Sequence, residues 1–125
     1  MQKTPGCWRI LLVEDEMLVA MLLEDMLSEA GHTIVGPMAR VEQALAAVKD
    51  EAIDLAILDV NVGGEEVYPV AEALAAREIP FAFATGYGAH GLREPWQDRP
   101  TLQKPFHRSD LFRMVAELGA SCPSC

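Results

Sequence analysis

Short apolar runs alternate along this chain with longer stretches whose apolar residues recur every three or four positions. A continuous apolar run reads as a strand buried on both faces, and the wider spacing reads as an amphipathic helix. Residues 8–14 form the first predicted strand, with Ile10, Leu11, Leu12 and Val13 at its centre. Residues 16–30 follow as a helix. Leu18, Leu22 and Met26 lie four apart there, with Val19, Leu23, Leu27 and Ala30 beside them, which gives a broad apolar face. Gly31 stands where a left-handed residue would end that helix. Thr33-Ile34-Val35 is a short second strand, closed by Gly36-Pro37. Val41, Ala44, Leu45 and Val48 set a second helix, and residues 54–59 a third strand. Asn61-Val62-Gly63-Gly64 reads as a loop open to unusual backbone angles.

The same alternation continues to the end. Pro69 belongs in the first turn of a third helix, whose buried face is Val67, Val70, Ala71 and Leu74. Ile79 to Ala84 is a fourth strand. From Gly86 to Pro100 three further glycines and prolines (Gly88, Gly91, Pro95) interrupt the pattern, so the fourth helix is expected to be short or mobile, at most a turn or two around residues 89–94. Leu102 and Gln103 mark a fifth strand, and Leu111, Val115 and Leu118 one face of a last helix, with Asp110 in its first turn. Strands alternating with helices imply a doubly wound parallel α/β sheet with helices on both faces.

Ligands of such sheets bind beyond the carboxyl ends of the strands. Those ends carry the polar residues of interest: Glu14-Asp15 after the first strand, Asp59 closing the third, Thr85 after the fourth, and Lys104-Pro105 after the fifth. Three carboxylates, a hydroxyl and an ammonium thus converge on one patch, suited to a divalent metal and a phosphoryl group. Clustered carboxylates repel, which raises the pKa of at least one unless a cation compensates. Mg²⁺ takes hard oxygen ligands, and phosphoryl transfer depends mostly on positioning and charge stabilisation.

Composition narrows the partners. At 125 residues the chain fits one domain, here residues 8–118 between tails 1–7 and 119–125. A net charge of -9 disfavours nucleic acid and anionic membranes. No apolar run is long enough for a bilayer, and Met1 to Gly6 lacks a signal core, so the cytoplasm is the expected compartment. Cys7, Cys122 and Cys125 sit near the ends and form no disulfide framework; Cys122-Pro123-Ser124-Cys125 suits neither a redox pair nor a prenylation signal. His32, His90 and His107 fit turn, loop and cap roles, and Trp8 and Trp96 fit packing.

Leu12-Val13-Glu14-Asp15-Glu16, Leu58-Asp59-Val60-Asn61, Ala84-Thr85-Gly86 and Lys104-Pro105-Phe106, in this order and each at a strand end, resemble the motifs of the response-regulator receiver domain. This is the CheY-like phosphoacceptor module of bacterial two-component signalling. Phe83-Ala84-Thr85-Gly86-Tyr87-Gly88 is similar to the signature of its FAT GUY subfamily of single-domain receivers. The resemblance implies a flavodoxin-like (βα)5 fold with strand order 2-1-3-4-5. It implies that Asp59 accepts a phosphoryl group from a sensor histidine kinase or a histidine phosphotransferase, and that water later hydrolyses it. It further implies that Asp15 and Asp59 ligate Mg²⁺ directly, Glu14 through water and Asn61 through its carbonyl. Thr85 would bind the phosphoryl oxygens, Lys104 would pair with the Asp59 carboxylate and then the phosphate, and Pro105 would follow a cis peptide bond. Thr101 occupies the position where the family often has an aromatic switch residue, which makes Tyr87 the candidate ring.

Such a module acts on itself and is not an enzyme in the ordinary sense. With no output domain expected, its signal would leave through protein contacts or phosphotransfer, from a monomer or weak homodimer. Two other readings stay open. A flavin carrier could use the same strand ends, although Glu14-Asp15-Glu16 would repel its phosphate. A degenerate receiver could serve as a protein-binding scaffold without being phosphorylated.

Overall fold

The computed structural model describes residues 8–86 and 92–120. In chain order the elements are β1 (Arg9–Val13), α1 (Met17–Glu29), β2 (Thr33–Met38), α2 (Val41–Asp50), β3 (Leu55–Asp59), β4 (Asn61–Val62), β5 (Glu65–Glu66), α3 (Tyr68–Ala76), β6 (Phe81–Thr85), β7 (Thr101–Gln103) and α4 (Arg108–Ala120). Five strands form a parallel sheet in the order β2-β1-β3-β6-β7. Setting aside the small antiparallel ribbon β4–β5, this is the expected order 2-1-3-4-5.

Successive strand residues point to opposite faces, and both faces are buried. Leu11, Val13, Ala56, Leu58, Phe81 and Phe83 face one way, onto α2 and α3. Ile10, Leu12, Leu55, Ile57, Ala82 and Ala84 face the other way, onto Leu23 and Leu27 of α1 and Leu111, Val115 and Leu118 of α4. This double burial is why the strands read as unbroken apolar runs. The expected face of α3 is fully buried: Val67, Val70, Ala71 and Leu74 are each at 0% exposure. Gly31 has φ +97 after the end of α1, as its position required.

Three expectations need correction. The apolar face of α1 is narrower than its sequence: Ala20, Leu23 and Leu27 are buried, but Leu18 is 77% exposed and Leu22 47%. One helix on one side of a sheet can bury only one stripe. β2 does not stop at Gly36-Pro37 but runs through them to Met38, with an irregularity in its pairing to β1 between Leu11 and Val13. Gly36 permits this at φ +112, where a Cβ would lie 2.7 Å from Met38 N and 2.9 Å from Leu12 O. Residues 61–66 form a hairpin rather than an open loop, Asn61 pairing with Glu66 and Val62 with Glu65.

In the crossover from β6 to β7, regular structure among the described residues is one 3-10 turn at Trp96–Asp98; the turn expected at 89–94 falls partly on residues 87–91, which include Tyr87 and His90 and lie outside the described residues. Aromatic packing holds the described part of this crossover. Trp96 stacks on Tyr68 at 6.4 Å and meets Phe81 and Phe83 at 5.9 and 6.3 Å, while the Arg99 guanidinium lies over Phe81 at 4.7 Å. Among the described residues no helix is long and apolar enough to cross a membrane.

Candidate functional site

Strand register builds the site. Val13 pairs with Leu58, Asp59 with Ala84, and Thr85 with Gln103, so the polar residues at or just past the strand ends form one row. Glu14 and Thr85 are the buried polar residues among those described, at 3% and 4% exposure. Asp59 and Lys104 are partly buried and Asp15 is exposed. One carboxylate oxygen from each of Glu14, Asp15 and Asp59 lies within 4.8 Å of the others.

Lys104 enters this cluster from the far side of the sheet. Its Nζ donates to Glu14 Oε1 at 2.9 Å and stands 3.5 Å from Asp59 Oδ1. The expected partner was Asp59; the nearer one is Glu14. Glu14 is fully engaged, since its Oε2 accepts the Glu16 N–H at 3.1 Å. The Lys104 N–H donates to the Thr85 carbonyl at 2.9 Å, which ties the two strand ends together, and the Lys104–Pro105 peptide is cis.

Electrostatics follow from the crowding. Burial, then a hydrogen bond to Glu14 and its negative charge, push the Asp59 carboxyl up to about 7, and the Lys104 ammonium only partly opposes them. Burial works against the charge of Lys104, but its bond to Glu14 and the charges of Asp59 and Glu14 outweigh that and raise its pKa. Three carboxylates against one ammonium leave the patch short of positive charge. Its donors are hard oxygens on a partly open surface, a set that fits Mg²⁺.

Asn61 opens β4 two positions after Asp59, on the rim of the same patch. Thr101 is half-buried on β7. Two features escaped sequence reasoning. The Gly63 N–H donates to Asp15 Oδ2 at 2.9 Å, a contact that depends on a turn invisible to hydrophobic patterning. An apolar shelf also lies on the first turns of α1 beside the acidic row: Met17, Leu18, Met21 and Leu22 are the large hydrophobic residues left exposed among those described. The doubled periodicity of α1 held that signal, because its apolar stripe is wider than one sheet face can cover.

A parallel α/β sheet of this order, with an acidic cluster, a buried threonine and a lysine at its carboxyl edge, defines a receiver module. The profile of the response regulator receiver domain matches residues 10–116, and the chain belongs to that family. The solution structure of SdrG from Sphingomonas melonis Fr1 superposes with a TM-score of 0.81 at 51% identity, covering 92% of this chain and 98% of that one. The BeF3-activated conformation of SdrG from Pseudomonas melonis Fr1 gives 0.77 at 49% identity, over 94% and 99% of the two chains. The transcriptional regulatory protein PdtaR of Mycobacterium tuberculosis is 33% identical over 117 residues, which are 90% of this chain and 57% of PdtaR. The chain spans about half the length of the curated relatives it matches.

Proposed function

We propose that this receiver accepts one phosphoryl group on Asp59 from the phosphohistidine of a sensor kinase or phosphotransfer protein, with Mg²⁺, and that the product alters its contacts with a downstream protein in the cytoplasm. The observation that carries this reading is the convergence of Asp59, Glu14, Asp15, Thr85 and Lys104 at one sheet edge. An oxygen of Asp59 would attack phosphorus, the P–N bond would break, and its electrons would return to the donor imidazole. Water would later attack the acyl phosphate and restore the carboxylate.

Asp15, Asp59 and Glu14 would hold the cation, with the Asn61 carbonyl as the resemblance implies. Mg²⁺, when bound, supplies the positive charge that favours ionised Asp59 and offsets charge on the phosphoryl oxygens. Lys104 is within reach of Asp59 and can follow the new phosphoryl oxygen as a compact charge. The buried Thr85 at the neighbouring strand end is placed to donate to another. The α1 shelf of Met17, Leu18, Met21 and Leu22 offers an apolar platform on which the donor protein would dock beside the acidic row. The BeF3-activated state of SdrG supports a switching role.

Intact mass after incubation with acetyl phosphate and MgCl2 tests the proposal. The wild type should gain one phosphate and Asp59→Asn none. Phosphate persisting on a folded Asp59→Asn protein rejects the assignment, and a wild type that never gains mass favours the scaffold.

A further inference from the structure

The hairpin β4–β5 touches the acidic row where the Gly63 N–H donates to Asp15 Oδ2 at 2.9 Å. The two sides of that bond differ in freedom. Asp15 is an exposed residue between β1 and α1, so its side chain has several rotamers open to it. The hairpin is pinned. Val62 and Val67 are fully buried, and the Val67 N–H donates to the Val60 carbonyl at 2.8 Å to close its base. At its tip Gly63 has φ +61 and Gly64 φ +83, both in the left-handed region that favours glycine.

An ionised carboxylate has two oxygens and about four lone-pair directions, so one charge-assisted bond from an amide leaves capacity for a cation. We propose that Gly63 is a positioning residue for divalent-cation binding: its backbone N–H fixes one oxygen of Asp15, so that the carboxylate meets the cation already oriented. This rests on the proposed role of Asp15 as a cation ligand. The demand at position 63 is for backbone conformation and not for space, because an added Cβ would meet only the Ala39 carbonyl, at 3.4 Å. A β-branched residue there must move the turn to relieve its φ, and the amide moves with it.

Outer partners that orient a metal-binding carboxylate commonly govern affinity. Gly64 supplies the control. Its φ of +83 also disfavours a β-branched residue, but relief there turns the Gly63–Gly64 peptide rather than the Val62–Gly63 amide that reaches Asp15. A Cβ built on it has nothing within 4 Å. Calorimetric titration with MgCl2 would compare the wild type, Gly63→Val, Gly64→Val and Asp15→Ala, with thermal midpoints measured in parallel. Gly63→Val should bind about tenfold more weakly. Gly64→Val should lose similar thermal stability yet stay within about twofold of the wild type, well short of the loss set by a displaced outer partner.

A second readout needs no substitution in the turn. Amide exchange at Gly63 should quicken in Asp15→Ala, and its amide shift should move when the wild type takes up Mg²⁺. Wild-type affinity in Gly63→Val, equal weakening in both glycine variants, or Gly63 exchange indifferent to Asp15→Ala would each overturn the proposal. Unchanged affinity in Asp15→Ala would instead remove the cation assignment, and the proposal with it.

Discussion

Lys104 is held closer to Glu14 than to Asp59, at 2.9 Å against 3.5 Å. The lysine therefore neutralises a carboxylate that is almost fully buried, and leaves the candidate nucleophile under-compensated. Removing one partner of a buried ion pair strands the other charge. Lys104→Ala should cost about 2 kcal/mol, less than for a fully buried pair because the lysine is partly exposed. MgCl2 should restore part of that loss by placing positive charge beside the stranded carboxylates. Urea unfolding with and without MgCl2 measures both effects; no loss in either series would show that the pair does not govern stability, and an equal loss in both that the cation does not replace the lysine.

Trp96 should report the state of Asp59. Its ring meets Phe83 at 6.3 Å, and Phe83 precedes Thr85 by one full strand repeat on the same face of β6. A shift of Thr85 toward a phosphoryl group would reach the indole through that contact. In a Trp8→Phe background, beryllofluoride with Mg²⁺ should change Trp96 emission. The change should be absent in Asp59→Asn and strongly reduced in Lys104→Ala, even though acetyl phosphate still labels the latter.

His32 makes the fold sensitive to mild acid. Its Nδ1 accepts the Trp8 N–H at 3.1 Å, its ring stacks on Trp8 at 5.4 Å, and burial lowers its pKa from 6.5. The unfolded chain takes up that proton near 6.5, and the folded protein only at lower pH. The stabilising contribution is thus complete above 6.5 and lost as pH falls from there through the folded value. Protonation also turns the acceptor nitrogen into a donor facing a donor. Thermal midpoints between about pH 8 and about pH 5 should fall less steeply in His32→Asn, which keeps an acceptor but does not titrate. Parallel profiles would remove His32 as the cause.

Gly119 trades helix propensity for packing. A Cβ there would run into the six-membered ring of Trp8, at Cζ2 and Cη2. Alanine elsewhere in a helix gains about 1 kcal/mol over glycine, whereas overpacking costs about 1–3 kcal/mol. Gly119→Ala should therefore destabilise the protein by about 1 kcal/mol. Trp8→Leu should make the same substitution neutral or favourable, and a double-mutant cycle in urea checks it.

Most of the fold was legible because both sheet faces are buried: uninterrupted runs such as Leu55-Ala56-Ile57-Leu58 have few other solutions. The row of strand-end residues followed from the topology. What periodicity missed depends on geometry between elements. Nothing in the spacing of Leu18 and Leu22 tells which of two apolar stripes on α1 meets the sheet. The hairpin at 61–66 rests on two left-handed glycines, and the bond from Lys104 to Glu14 on the depth at which each residue leaves its strand. The crossover from β6 to β7 packs through Trp96 onto Tyr68 of α3 and Phe81 and Phe83 of β6, rings separated in sequence whose cluster has no linear signature.

Two of the four side chains on the α1 shelf, Met17 and Met21, are thioethers open to solvent, at 73% and 52% exposure. Oxidation to the sulfoxide would convert that apolar platform into a polar one without touching the core or the acidic row. On the docking proposed for this shelf, a receiver oxidised there would keep its fold and its response to small phosphodonors, yet accept phosphate poorly from a protein donor, and reduction of two methionines would restore the transfer.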